Sequence, residues 1–238
     1  MIRSWSYSKL LDYEACPHRF KLKHVERIPE EKSPAADRGT AIHQLAEDYV
    51  RGKLKHIPPE LMKFDEQFEA LRSEFKTKNV CLEGEWGFTK DWEPTDYKTA
   101  WLRMKADGVL HRKQSADAIV IDYKTGKKFG NELKHGEQVQ LYAIATAIRE
   151  PWIKNITVEL WYLDIDDITD NTYTRTQALS FIPGFEKRAT KLVEAKHFEP
   201  RANIFTCKWC AYGPAKGNQC PHGVTGSESV ADYRKRFG

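Results

Sequence analysis

At 238 residues, with hydrophobic residues at 40%, charged residues at 30% and a net charge of +4, the chain has the composition of a globular protein with a sizeable core, and its length corresponds to about 1.6 ordinary domains. A mean hydropathy of -0.66 and the lack of a long apolar run exclude a membrane-spanning helix as an expectation. The first residues, Met-Ile-Arg-Ser-Trp-Ser-Tyr-Ser, lack the apolar region of a signal peptide, so a cytoplasmic setting without a membrane partner is expected. A pI near 8.7 is compatible with a nucleic-acid partner but does not require one. The five cysteines, Cys16, Cys81, Cys207, Cys210 and Cys220, are an odd number in such a setting and point to ligation or burial rather than a disulfide framework.

Taken in chain order, Ser6 and Ser8 are suited to capping a short helix carrying Leu10, Leu11, Glu14 and Ala15. That helix should end near Cys16, because Pro17 disfavours helical geometry in the residue before it. The basic and aromatic run His18 to His24 is either a solvated face or a phosphate contact. Residues 29–38, with Pro29, Pro34 and a charge cluster, read as a loop. From Arg38-Gly39 onward, Ile42, Leu45, Ala46, Tyr49 and Val50 recur at helical spacing. His43 borders that stripe, as a hydrogen-bonded structural residue or as a metal ligand. A long helix is expected over Glu60 to Lys76, with Phe64, Phe68, Leu71 and Phe75 packing into the core.

The period changes to two over Val80 to Thr89, which predicts a strand. Two further strands are expected at 103–111 and 118–124. In the latter, Ile119, Ile121 and Tyr123 share one face, and Val120, Asp122 and Lys124 share the other. Asp107 lies on the neighbouring strand, where it brings a second carboxylate towards the same place. Two carboxylates and a lysine suit a divalent ion and a water beside a phosphodiester, so nuclease chemistry is the hypothesis that the pattern raises. Thr125-Gly126 with Lys127 and Lys128 forms an exit turn, and a helix follows over Glu132 to Arg149. Gln138 and Tyr142, four apart, lie on one face of it, either as packing and surface residues or as part of a site.

Asn155 to Leu163 and Tyr173 to Phe181 read as another strand pair, joined by an acidic turn from Asp164 to Asp170. That turn lacks the glycine and terminal glutamate of a calcium loop, and calcium is not expected there. Pro183 suits the first turn of a helix reaching about His197, with Phe185, Ala189, Leu192 and Val193 inward. The Gly/Pro-rich segment after it holds a CxxC pair, Cys207 and Cys210, and then Cys220, a ligand pattern whose fourth member is either His222 or the distant Cys16. The tail, Tyr233 to Gly238, is basic and expected to be loosely held.

With these pieces in order, the chain resembles the RecB-like branch of the PD-(D/E)XK nuclease superfamily over about 200 residues. The Cys-Pro-ended helix with basic and aromatic residues after it is similar to Ser8 to Phe20. An Arg-Gly-x-x-x-His motif falls on Arg38, Gly39 and His43, and a metal-binding aspartate on Asp107, although many relatives carry a glycine two or three residues before that aspartate. An Asp-x-Lys element followed by Thr-Gly falls on Asp122, Lys124, Thr125 and Gly126, and a Gln-x-x-x-Tyr motif on Gln138 and Tyr142.

The resemblance implies an α/β fold with a PD-(D/E)XK restriction-endonuclease-like core, a central mixed β-sheet flanked by helices, and a cysteine-bound C-terminal segment. It implies one nuclease domain over 1–238, with a helical part at 1–78, the core sheet at 79–182, and the last helix with the cysteine-rich segment at 183–238. The implied activity is a Mg²⁺- or Mn²⁺-dependent deoxyribonuclease, an exonuclease acting on ends or single strands in recombination, repair or phage replication. The alternative is a catalytically silent nucleic-acid-binding module. His43, Asp107, Asp122 and the carbonyl of Tyr123 would hold the ion; Asp107, Asp122, Lys124, Gln138 and Tyr142 would form the catalytic set. Arg38, Lys127 and Lys128 would contact DNA, and a helicase or recombination protein would be a partner. Some relatives hold a 4Fe-4S cluster with one N-terminal and three C-terminal cysteines, a set that Cys16, Cys207, Cys210 and Cys220 resemble. The nine residues between Cys210 and Cys220 are more than relatives usually have and keep zinc, with His222, as an alternative.

Overall fold

The computed structural model describes residues 2–30, 33–126 and 128–225. Lys127 and the basic tail from Tyr233 lie outside the described residues. Two compact units are present, Ser33–Glu186 and the pair of chain ends, Met1–Lys32 with Lys187–Gly238. No helix among the described residues is long and apolar enough to cross a membrane.

The chain-end unit opens with α1 (Tyr7–Ala15), capped by Ser6, whose side chain accepts from the Lys9 amide. Helix α1 stops where expected, at an extended Cys16. Pro17 then serves as the first residue of α2 (Pro17–Phe20), and a π-turn over Lys21–Val25 follows. This turns the basic run inward to carboxylates of its own unit. Asp12 lies 3.0 Å from His24, 3.2 Å from Lys23 and 3.6 Å from Arg19, while Glu30 lies 2.9 Å from Lys23. Arg19, Lys23 and His24 are therefore taken up by acids outside the run, at positions 12 and 30, while Lys21 pairs with Glu26 at the surface. Burial pushes the Asp12 carboxyl up, but the contacts with His24, Lys23 and Arg19 outweigh it and leave the group below the usual carboxylate range.

In the larger unit, α3 (Pro34–Val50) begins earlier than the 29–38 loop expectation allows. Proline lacks only an N–H that the first turn leaves unpaired anyway, so Pro34 starts the helix instead of blocking it. The expected helix over 60–76 is two pieces, a 3₁₀ turn (Pro59–Phe64) and α4 (Asp65–Lys76). Its phenylalanines are core as expected. Phe64 stacks on Trp161 at 5.7 Å, and Phe68 meets both Trp161 and Tyr123.

The strands are β1 (Val80–Phe88), β2 (Pro94–Thr95), β3 (Leu102–Arg112), β4 (Asp117–Lys124), β5 (Asn155–Tyr162) and β6 (Asp167–Thr174). They form a mixed sheet in the order β2-β1-β3-β4-β5-β6, antiparallel except where β5 runs parallel to β4. The connection between those parallel strands is α5 (Glu132–Arg149), which packs on both of them. Parallel neighbours require such a crossover.

Two expectations fail at the C-terminal edge of the sheet. The last strand occupies Asp167–Thr174, not 173–181, and 175–180 are helical as α6 (Arg175–Ser180). Thr174 and Gln177 form a reciprocal capping box, a local helix start that overrides the strand reading of this more polar segment. The acidic run splits accordingly, since Asp164 and Asp166 lie in the turn and Asp167 and Asp170 on an edge strand, where charge discourages further pairing. Helix α7 (Ile182–Val193) buries Phe185, Ala189 and Leu192 and ends four residues short of His197.

The core of this unit joins Ile42, Ala46 and Tyr49 of α3 to Phe68 and Leu71 of α4 and to Ile121 and Tyr123 of β4. Ile119 packs against the same cluster. One face of β4 is thus fixed by burial, and the Val120–Asp122–Lys124 face is turned towards α5.

Candidate active site

The Asp122–Lys124 pair has the geometry that strand alternation requires. Lys124 Nζ is 2.5 Å from Asp122 Oδ2 and donates to Gln138 Oε1 at 2.8 Å. Gln138 Nε2 donates to the Tyr142 hydroxyl at 3.0 Å, and that hydroxyl lies 2.8 Å from both Asp122 Oδ1 and the Lys105 carbonyl. Gln138 and Tyr142 are one helical turn apart on α5 and hold the two ends of the same charge pair. Burial, then the charges of Asp122 and Asp107, keeps the Tyr142 phenol far above its ordinary pKa, so it remains a donor at neutral pH.

Asp107 reaches the site by a different route. The described β3–β4 ladder ends at Gly108↔Ile121, and beyond it the Asp107 side chain replaces a strand partner, Oδ2 accepting from the Tyr123 amide at 2.6 Å. Its Oδ1 lies 2.8 Å from His43 Nδ1 on α3. Burial raises the Asp107 carboxyl above the usual range; His43 opposes that and the negative charge of Asp122 adds to it. A cleft lined by Gly39, Thr40, His43, Gln44, Lys105 and Asp107 opens in front of this pair. Gly39 lets α3 approach closely, since a Cβ there would stand 3.0 Å from Thr125 Oγ1 and that side chain would have to shift. Gly126, with φ of +100°, supplies the left-handed turn after Lys124.

The donor set of one imidazole, two carboxylates and a main-chain carbonyl suits a hard divalent cation. Asp122 Oδ2 supports the fit. It is buried, makes no hydrogen bond, and has the Lys124 ammonium as an ionic contact outside hydrogen-bond geometry. However, His43 and Asp107 face each other, and no group of three or more His, Cys, Asp or Glu side chains among the described residues stands ready-made to hold a metal ion.

Of the cations expected to meet DNA, the two among the described residues, Arg38 and Lys128, are paired within the protein. Arg38 makes a two-pronged contact with Asp164 at 2.6 and 3.0 Å, and Lys128 pairs with Asp167. Asp164 also accepts from the Gly126 amide at 2.6 Å, and its carbonyl accepts from Lys63. It is the residue that sequence reasoning missed most clearly, since its run reads as a strand-joining acidic turn and nothing in its spacing points to Arg38. His135 was missed too. It lies one turn before Gln138, with Nδ1 2.7 Å from the Tyr162 hydroxyl.

In the chain-end unit, Cys16, Cys207, Cys210 and Cys220 line one small cavity with Arg19, Leu22 and His222. Cys207 lies on α8 (Ile204–Trp209), capped by Asn203. Burial raises the Cys210 and Cys220 thiols, and the neighbouring sulfurs add to the shift. Cys81 stands apart and exposed.

Two solved structures share the fold. "Crystal structure of SSO0001" superposes with a TM-score of 0.51 at 16% identity, covering 94% of this chain and 89% of that one. A Eubacterium rectale protein named as a putative exonuclease gives 0.50 at 14% identity, covering 99% and 94%. No curated protein matches the chain. The PD-(D/E)XK nuclease superfamily profile matches residues 4–215, and members of that superfamily generally use Mg²⁺ or Mn²⁺. With that match and the mixed sheet already described, the chain belongs to the PD-(D/E)XK nuclease superfamily.

Proposed function

We propose that the protein is a divalent-metal-dependent deoxyribonuclease of the RecB-like branch, acting as an exonuclease on DNA ends or single strands. One observation carries the reading: Asp122, Lys124, Gln138 and Tyr142 form a continuous polar chain on one sheet face, within electrostatic reach of the His43–Asp107 pair. In this reading His43, Asp107, Asp122 and the Tyr123 carbonyl hold Mg²⁺ or Mn²⁺. When bound, the ion lowers the pKa of a water and screens phosphate charge. Lys124 turns the attacking water towards phosphorus and stabilises the charge that grows on the phosphoryl oxygens. Gln138 fixes the ammonium and Tyr142 fixes the Asp122 carboxylate. The water oxygen bonds to phosphorus, one ester P–O bond breaks, and the water proton reaches the leaving oxygen through solvent.

Arg38, Lys127 and Lys128 are proposed to follow the DNA backbone, Arg38 and Lys128 exchanging Asp164 and Asp167 for phosphates as the strand enters. A helicase or recombination protein that exposes DNA ends would be the cytoplasmic partner of such an enzyme in recombination, repair or phage replication. The second reading, a catalytically silent nucleic-acid-binding module, is favoured by the His43–Asp107 hydrogen bond, in which each partner occupies the other. End-labelled linear DNA and covalently closed circular DNA, each with Mn²⁺ or with EDTA, separate the two. Loss of the linear form alone, and only with Mn²⁺, is the expected result; binding without cleavage selects the silent module, and equal loss of the circle rejects exonuclease action.

For Cys16, Cys207, Cys210 and Cys220 we propose a 4Fe-4S cluster, with zinc held partly by His222 as the alternative. The common cavity of the four thiols supports this reading. Protein purified without oxygen is expected to be brown with broad visible absorbance, whereas a colourless preparation containing one zinc would reject the cluster.

A further inference from the structure

His135 and Tyr162 form a polar pair that the set above does not use. Tyr162 is the register partner of Lys124 across the parallel β4–β5 ladder, and it is buried. Its phenol, raised by burial and then by the charges of Asp167, Asp122 and Glu132, keeps its proton. That hydroxyl hydrogen needs an acceptor, and His135 Nδ1 lies 2.7 Å away. If Nδ1 accepts, the neutral imidazole carries its own hydrogen on Nε2. His135 is half-buried, and its ring has no protein hydrogen-bond partner other than Tyr162 among the described residues. Lys124 and Asp122 act electrostatically on it. It is three residues before Gln138 on α5, about 4.5 Å along the helix axis.

We propose that His135 is a substrate-positioning residue, donating from Nε2–H to a nucleic-acid phosphate next to the scissile one, with Tyr162 fixing the tautomer that makes it a donor. The assignment rests on the nuclease reading, in which the scissile phosphate lies against Lys124. A neutral donor at this place suits a phosphate oxygen, and contacts of that kind set the register of a strand without reading its sequence. Lys128, paired with Asp167, lies over the Tyr162 ring at 5.2 Å from its centroid, so a lysine that can exchange its partner for a phosphate stands beside His135.

The test uses the full-length protein with His135→Ala, His135→Gln and Tyr162→Phe, and DNA bearing one uncharged methylphosphonate at successive linkages beside the cleaved one. His135→Ala is expected to raise KM about tenfold or more, the size of one hydrogen bond to a charged group, with kcat nearly unchanged. Glutamine, which offers an amide N–H, should recover part of that loss. One methylphosphonate position should weaken the wild type by the same factor and leave His135→Ala unaffected. Tyr162→Phe should show a smaller KM effect at that same linkage. Equal methylphosphonate sensitivity in wild type and His135→Ala, or a kcat loss not recovered by glutamine, would overturn the proposal. The coupling is also read by equilibrium binding of the same DNAs in EDTA. A protein that cleaves nothing but still shows it loses the nuclease reading and keeps the phosphate contact. One that cleaves normally without the coupling does the reverse.

Discussion

Lys124→Ala is expected to reduce Mn²⁺-supported cleavage by about a thousandfold, the upper range for removing one preorganised charge-stabilising group from an active site. The ammonium is held at both ends of its reach, by Gln138 Oε1 at 2.8 Å and by Asp122 Oδ2 at 2.5 Å, so little reorganisation remains to be done as charge develops on the phosphate. Lys124→Arg should not rescue the rate, because a planar guanidinium cannot occupy the position of a compact ammonium between those two oxygens. Removing the lysine also removes a positive charge next to the buried Asp122 carboxylate. Mn²⁺ binding measured by calorimetry should therefore be retained or tightened while cleavage disappears. Cleavage at the wild-type rate would reject the role of Lys124. Loss of both cleavage and Mn²⁺ binding would instead mean that the lysine holds the site together.

The face that Lys124 shares with Asp122 was legible because a strand has a period of two and one side of β4 is apolar. Ile119, Ile121 and Tyr123 had to go to the core, which fixed where the charged residues went. Helix α5 was legible because its second half, from Val139 to Ile148, is densely apolar and bounded by polar residues without proline. What stayed hidden depends on partners distant in sequence. Arg38 and Lys128 looked like free cations because Asp164 and Asp167 lie 126 and 39 residues further along the chain. The cations of the run from His18 to His24 could be read as solvated or as phosphate contacts because the turn that brings Asp12 and Glu30 onto them leaves no spacing signal. The capping box at Thr174 and Gln177 was in principle readable, but β-prone residues on either side hid it. The Asp107 contact with the Tyr123 amide arises only because the β3–β4 ladder stops one residue earlier, and no spacing pattern announces where a ladder stops.

Asp107→Asn should make the metal-free protein more heat-stable while abolishing Mn²⁺-dependent cleavage. Burial, with the charge of Asp122 adding and His43 opposing, raises the folded-state pKa of Asp107 above its ordinary value. For a carboxyl shifted upwards, the stabilising contribution is fully present below the unfolded pKa of about 3.9 and is lost as the pH rises through the folded value. At pH values above the unfolded pKa, this upward shift is thus a cost that the fold carries. Asparagine has nearly the same shape. Its oxygen can accept from the Tyr123 amide as Oδ2 does, and its NH₂ can face His43 Nδ1 in the tautomer in which that nitrogen accepts. In EDTA at pH 7.5 the variant should melt at a higher temperature than the wild type, and the gap should close as the pH is lowered towards the unfolded carboxyl range. Adding Mn²⁺ should raise the wild-type melting temperature more than that of the variant, since an ion that binds only the folded state stabilises it. A variant that melts lower in EDTA, or by a margin independent of pH, would show that the Asp107 charge is already compensated within the protein. The expected result would mean that this carboxylate is kept for the cation it binds, at the expense of the stability of the metal-free fold.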